Sequence, residues 1–180
     1  MRELSLHILD IAENSVKAGA SLITVTVNAE DGRLKIEIDD NGKGMSREFL
    51  DKVCDPFTTS RQTRKVGLGI PLFKLAAETA GGSFKIESAE GKGTKVTAEF
   101  EINHIDRAPL GDLTSTIITQ LSNEIDYVWI YRVDGREFVF DTREVRQQLE
   151  GAPIDSPEII VFLKELINEN LEIVNGGTIL

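Results

Sequence analysis

The sequence predicts an α/β fold. Segments with helical periodicity alternate with segments of strand-like alternation, and glycine turns stand between them. A hydrophobic fraction of 41% supplies the residues for a core. A chain of 180 residues can bury about 70% of the surface that it exposes when unfolded.

From Glu3 to Ala18 the apolar residues Leu4, Ile8, Ile11, Ala12 and Val16 recur at helical spacing, and Gly19 supplies a stop. Leu22–Asn28 (LITVTVN) is β-branched and alternating, which predicts a strand. Glu30-Asp31-Gly32 turns the chain. Leu34, Ile36 and Ile38 then alternate with Lys35, Glu37 and Asp39, so a second strand closes a hairpin. Asp40–Met45 (DNGKGM) breaks the regularity, and Ser46 is placed to cap a short helix through Val53. Asp55–Val66 is polar and basic and reads as a loop. Helix resumes near Ile70, tolerates Pro71 in its first turn and stops at Gly81-Gly82. Phe84–Ser88 and Thr94–Ile102 are two more strands, joined by Glu90-Gly91-Lys92-Gly93. Further on, Leu110–Leu121 reads as helix, and Tyr127–Val133 and Glu137–Phe140 flank the hairpin turn Asp134-Gly135. Thr142–Leu149 and Pro157–Asn170 read as helices.

The net charge of −10 disfavours nonspecific binding to nucleic acid. Its distribution is uneven: residues 1–104 carry 14 basic and 16 acidic groups, residues 105–180 carry 6 and 14. That shift predicts a boundary near His104–Pro109, with a small acidic α+β domain at 105–180 that regulates or binds a partner. The single cysteine, Cys54, excludes an internal disulfide and a four-cysteine metal cage. No apolar run approaches the roughly 18 residues of a membrane span, and Met-Arg-Glu-Leu-Ser-Leu lacks the apolar stretch of a secretory signal. A soluble, cytoplasmic protein is the expectation.

Four groups of residues can carry chemistry. On the first helix Asp10 and Asn14 are four apart and share a face, with His7 near the same stripe. An amide oxygen suits Mg²⁺, and a carboxylate one turn away can orient or deprotonate water; a plain solvated face would give the same pattern. In Asp40-Asn41-Gly42-Lys43-Gly44-Met45, a carboxylate at a strand end can accept from an exocyclic amine, and two glycines allow a turn or a close approach. Arg61, Arg64 and Lys65 precede Gly67-Leu68-Gly69, a glycine turn that opens a helix, where free N–H groups and the helix dipole favour anions. No Gly-Lys-Ser/Thr follows, so this is not a P-loop. Gly91-Lys92-Gly93-Thr94 reads as a tight turn between strands.

Taken in order, Glu13-Asn14, DNGKGM, DPFTTS, GLGIPLFKLAAETAGG and GKGTKVTAEF resemble the successive boxes of the GHKL ATP-binding superfamily, over about residues 3–102. That superfamily includes sensor histidine kinases, DNA gyrase, chaperones of the ninety-kilodalton class and mismatch-repair ATPases. The resemblance implies a Bergerat fold, a two-layer α/β sandwich with a mixed sheet on one side and helices on the other. It implies ATP and Mg²⁺ as ligands, with Asn14 at the metal and the phosphates and Asp40 on the adenine amino group. Gly42, Gly44 and Met45 would shape the base pocket. Phe57–Lys65 would form a lid, with Thr58, Thr59 and Lys65 among the nucleotide contacts. Gly67, Leu68 and Gly69 would meet the phosphates, Lys17 would join the contact set, and Thr94 would support the adenine end.

The resemblance divides between subfamilies. Asp55–Phe100 is similar to sensor histidine kinases, whereas ENSVKAGAS with ITVTV is similar to mismatch-repair ATPases. Hydrolytic members carry a glutamate as general base where this chain has Asp10, and an acid where it has Lys17. Histidine kinases carry their acceptor histidine on a dimerisation helix ahead of the ATP domain, whereas here that domain starts with the first residues. The expected function is therefore phosphotransfer of histidine-kinase type to a histidine or serine of a partner protein in trans. An ATP-driven switch with slow hydrolysis through Asp10, or a nucleotide sensor without turnover, are the alternatives. No nucleic acid or membrane is expected as partner; a homodimer is compatible with this reading.

Overall fold

The computed structural model describes residues 3–55, 68–122 and 124–180. Its secondary structure runs α1 (Leu4–Lys17), β1 (Leu22–Glu30), β2 (Arg33–Asp40), α2 (Arg47–Val53), α3 (Gly69–Thr79), β3 (Ser83–Ala89), β4 (Gly93–Glu101), α4 (Leu113–Thr119), β5 (Asp126–Val133), β6 (Arg136–Asp141), α5 (Thr142–Gln148) and α6 (Pro157–Asn175). The strands form one six-stranded sheet in the order β3-β4-β2-β1-β5-β6. Neighbours are antiparallel except β1 and β5, which run parallel from Leu22↔Asp126 to Ala29↔Val133. The sheet is therefore mixed, and α1, α3, α4 and α6 contribute buried apolar residues to a layer beside it.

Alternation along each strand explains the two layers. One face carries Ile23, Val25, Val27, Ile36, Ile38, Val96, Phe100 and Trp129, all buried in a continuous core. The other face is polar and half-buried; there Glu37 lies 3.1 Å from Lys35 and 3.0 Å from Lys95. The lysine bonds hold the Glu37 carboxyl below its ordinary pKa against the opposing effect of burial.

The segment beyond residue 104 has the expected hairpin and helices, and it joins the same sheet. Because β5 adds to β1, the core is shared across the expected boundary: Trp129, Val133, Leu163 and Ile167 belong to the cluster that contains Ile8 and Ile23. Three main-chain bonds tie the linker down. Pro109 and Leu110 carbonyls accept from the N–H groups of Leu4 and Ser5, at 2.9 and 2.8 Å, and Leu110 donates to the Leu180 carbonyl at 3.1 Å. These bonds explain why helix does not start at Leu110, as the apolar spacing suggests, but at Leu113, where Asp112 caps it by accepting from Ser115 N. Helix α6 outruns its expected end at Asn170 and stops at Gly176, whose φ of 56° is left-handed.

Helix α1 buries Leu4, Ile8, Ile11 and Ala12 as its pattern predicts and departs from it only in the last turn. Ser15 is buried whereas Val16 is 39% exposed. His7 is buried as well, at 2% exposure, and stacks on Phe73 of α3 with ring centroids 5.2 Å apart. Burial, above all, pushes its pKa from 6.5 down to about 4. Between those two pH values the unfolded chain holds the proton that the folded chain refuses. Stability should therefore fall as pH is lowered through this window, and His7→Leu should flatten that slope by up to one proton. Chemical denaturation at several pH values measures it; an unchanged slope in the variant would contradict the burial account.

Candidate functional site

The site is built where the C-terminal half of α1 meets the ends of β2 and β4. Asp40 is the last residue of β2, pairs with Thr94 across the ladder and is only 7% exposed. A buried carboxylate is costly unless hydrogen-bonded. Asp40 has three donors: Ser15 Oγ gives its hydrogen to Oδ2 at 2.6 Å, and the N–H groups of Gly42 and Thr94 give theirs to Oδ1 at 2.8 and 3.3 Å. A carboxylate offers about four lone-pair positions. The three donors fix its orientation and leave acceptor capacity for one more.

The loop after Asp40 is held on both sides. Asn41 Oδ1 accepts from Ser21 N and Leu22 N at 2.9 and 3.0 Å, which ties the loop to the start of β1. Lys43 N donates to the Ala18 carbonyl at 2.9 Å, and the Lys43 carbonyl accepts from Gly91 N at 2.7 Å. Met45 N donates to Ser88 Oγ at 2.9 Å, and Ser88 Oγ lies 2.8 Å from Thr94 Oγ1. Two glycines are required here because main chain occupies the place of a Cβ. Gly44 has φ of 66°, and a Cβ there would lie 1.9 Å from the Ala89 carbonyl oxygen. A Cβ at Gly93 would lie 1.8 Å from the carbonyl oxygen of Asp40 itself. At Gly42 the fit is tight but less absolute, with Ala18 O and Asp40 Oδ1 each 3.0 Å from an added Cβ.

The other end of the site is the contact between α1 and the start of α3. Gly69 is the first residue of α3 and is buried; a Cβ there would come within 3.2 Å of Asp10 Cβ, 3.5 Å of Asp10 Oδ2 and 3.8 Å of Asn14 Nδ2. The polar stripe of α1 thus faces the N-terminus of α3, where the N-cap residue Leu68 has no side-chain cap hydrogen bond. Burial and the charge of Glu13 raise the Asp10 pKa above its ordinary value, with Lys17 opposing.

The structure thus brings Asp40, Gly42, Gly44, Met45 and Thr94 together at one end and Asp10, Asn14 and Gly69 at the other, both on α1. Lys17 instead points outward, 3.6 Å from Glu13 in an exposed pair, and Leu68 is 54% exposed. Thr58, Thr59, Lys65 and Gly67, with the lid expected over Phe57–Lys65, lie outside the described residues. A hollow of about 330 Å³ on the far side of Met45, bounded by Arg47, Leu50 and Glu90, includes none of Asp10, Asn14 and Asp40. Sequence reasoning missed Ser15, Asn41, Ser88 and Gly93 as parts of the site. For Ser15 a signal exists: a hydroxyl at a buried helical position needs a partner.

Two substitutions test the construction. Ser15→Ala removes a hydrogen bond to a buried carboxylate and should cost roughly 1.5–3 kcal/mol. Gly93→Ala should lower the melting temperature by several degrees, because the clash is with main chain. Thermal unfolding by circular dichroism measures both, and unchanged melting of either would contradict the corresponding contact.

Comparison with known proteins identifies the family and the fold. The family model described as "Histidine kinase-, DNA gyrase B-, and HSP90-like ATPase" matches residues 2–104. Sporulation kinase D of Bacillus subtilis is 35% identical over 98 residues, 53% of this chain and 19% of that protein. The sensor histidine kinase ZraS of Escherichia coli is 29% identical over 110 residues, 60% of this chain and 23% of that protein. Histidine protein kinase DivJ of Caulobacter vibrioides is 32% identical over 107 residues, 56% of this chain and 18% of that protein. The chain thus matches about a fifth of the length of these relatives. In fold it resembles the crystal structure of the N-terminal domain of a DNA repair protein, with a TM-score of 0.52 at 15% identity over 77% of this chain and 52% of that one. Sequence and fold together place the chain in the histidine kinase-, DNA gyrase B- and HSP90-like ATPase family.

Proposed function

We propose that this chain binds ATP with Mg²⁺ between Asp40 and the start of α3, and that it transfers the γ-phosphate to a partner protein in trans. The observation that carries the proposal is the fixed carboxylate of Asp40, buried and oriented by Ser15, Gly42 and Thr94 with one acceptor position to spare. An adenine amino group is a donor of the right kind for that position. Met45, partly buried beside the loop, offers an apolar side chain to the face of such a ring. On the other side, the N-terminus of α3, uncapped among the described residues, offers N–H groups to phosphates, and Gly69 keeps the approach clear.

Asn14 fits a metal role. Its amide makes no hydrogen bond to a described residue and faces the start of α3. The described residues hold no group of three acidic, histidine or cysteine side chains suited to a metal, which agrees with an ion that takes one protein oxygen and completes its shell with phosphate and water. Bound there, Mg²⁺ would supply charge neutralisation at the phosphates.

The placement of the two histidines supports an acceptor outside this sequence. His7 is buried under Phe73. His104 lies beyond the far end of β4, about 23 Å of strand from Thr94, with Nδ1 engaged by Asp106 N. Neither can meet a γ-phosphate at α3. The kinase names of the relatives support transfer over hydrolysis. One observation favours a second reading, a slow hydrolytic switch: Asp10 sits at Gly69 with its pKa raised, as suits a general base for water.

Asp40→Asn should weaken ATP binding by roughly 10–100-fold, the value of a hydrogen bond to a charged group; calorimetry giving equal affinity would refute the pocket. With γ-labelled ATP and cell extract, label should move to a partner protein. Free phosphate that disappears in Asp10→Asn, with no labelled partner, would favour the hydrolytic switch instead.

A further inference from the structure

Helix α6 carries an apolar stripe that the fold leaves exposed in part. Leu163, Ile167, Leu171 and Val174 are buried against the rest of the molecule. Phe162, Leu166 and Ile173 are not: they are 59, 37 and 70% exposed. At 3.6 residues per turn these three fall within about 40° of one another, and the stripe from Phe162 to Ile173 is about 16 Å long. Burying such residues is worth ~25 cal/mol per Å², so an exposed row of them favours an interaction surface.

The residues alongside say what that surface would accept. Glu158, Glu165 and Glu169 occupy the adjoining sector, within about 60° of Phe162. All three are exposed, and none has an ion-pair partner among the described residues. The row lies in a segment with 6 basic against 14 acidic groups.

The helix is also a rigid platform. Arg136 of β6 donates from Nε to the Val174 carbonyl at 2.7 Å and from Nη2 to the Asn175 carbonyl at 3.2 Å, which satisfies the last turn. Tyr131 of β5 hydrogen-bonds Asn175. The stripe and the carboxylates are therefore held in a fixed relation before anything binds, so little ordering cost remains.

We propose that this face of α6 docks an amphipathic helix of a partner protein whose apolar ridge is flanked by Lys or Arg. The ridge lies along Phe162, Leu166 and Ile173, and the cations meet the carboxylate row. Two other occupants fit the charges poorly. A second copy of the chain, paired antiparallel through the stripe, would set the two carboxylate rows side by side. An anionic membrane would be repelled. The inference is independent of the ATP reading, since it rests on α6 alone.

The test uses the full chain and two labelled 18-residue helical peptides, one with leucines on one face flanked by lysines, the other with glutamates in place of the lysines. Fluorescence anisotropy should show binding of the lysine peptide, weakening as salt is raised, and at least ~tenfold weaker binding of the glutamate peptide. Leu166→Asp and Phe162→Ser should each weaken the lysine peptide at least ~tenfold, and the pair Glu165→Lys with Glu169→Lys should remove its preference over the glutamate peptide. Both apolar positions are exposed, so circular dichroism melts should stay unchanged. Equal affinity for the two peptides, or no binding of the lysine peptide, or binding indifferent to Leu166→Asp, would overturn the proposal. So would a dimer in light scattering that Leu166→Asp dissolves, or co-sedimentation with phosphatidylglycerol vesicles that Phe162→Ser abolishes.

Discussion

The carboxylate of Asp40 sets the terms for much of this structure. It is buried at the end of a central strand, and its partners come from residues 25 positions before it and 54 positions after it. A buried charge without partners would cost far more than most single contacts return. The helix α1, the loop after β2 and the first residue pair of β4 must therefore arrive together. Gly93 is glycine because the strand that brings Thr94 to Asp40 also presses its own backbone against the Asp40 carbonyl. Gly44 is glycine because the same loop then passes under Ala89. The elements that satisfy the carboxylate are the elements that wall the site.

Helix α1 carries the consequences outward. Its C-terminal half presents Asn14 and Ser15 to the site, while its first two N–H groups bond to the linker at Pro109 and Leu110, and that linker bonds to Leu180. Because β5 pairs with β1, the segment after residue 104 is fixed to the site through the sheet as well as through the helix. A displacement of α1 at either end has main-chain partners at the other. Among the described residues no helix is long and apolar enough to cross a membrane.

Much of this was legible in the residues. Periodicity located the helices and strands of residues 3–102, and the order of DNGKGM, GLG and GKGT pointed to the family before any contact was known. The parts that were not legible depend on long-range geometry. Leu22–Asn28 shows no sign that it will pair in parallel with Tyr127–Val133, because either strand satisfies its alternation with any neighbour. The drop in charge at residue 105 looked like a domain boundary, but charge sits on the surface and the shared core lies beneath it. Ser15 was overlooked because its neighbours, Asn14 and Val16, fit the expected polar and apolar roles, and the buried face passes from Val16 to Ser15 only in the last turn. Lys17 pairs with Glu13 one turn away, an arrangement that the i,i+4 spacing already allowed.

The chemistry of Asp40 can be probed from the ligand side without altering the protein. Inosine triphosphate carries a carbonyl oxygen where ATP carries its amino group, and is otherwise close in size and charge. A carboxylate that accepts from the amine would face that oxygen as a second acceptor. Calorimetric titration of the unmodified chain with both nucleotides should therefore give ATP an affinity at least roughly tenfold higher, since a lost hydrogen bond to a buried charged group is worth that much or more. Equal affinities would mean that Asp40 does not read the base, and that its three donors serve the fold alone.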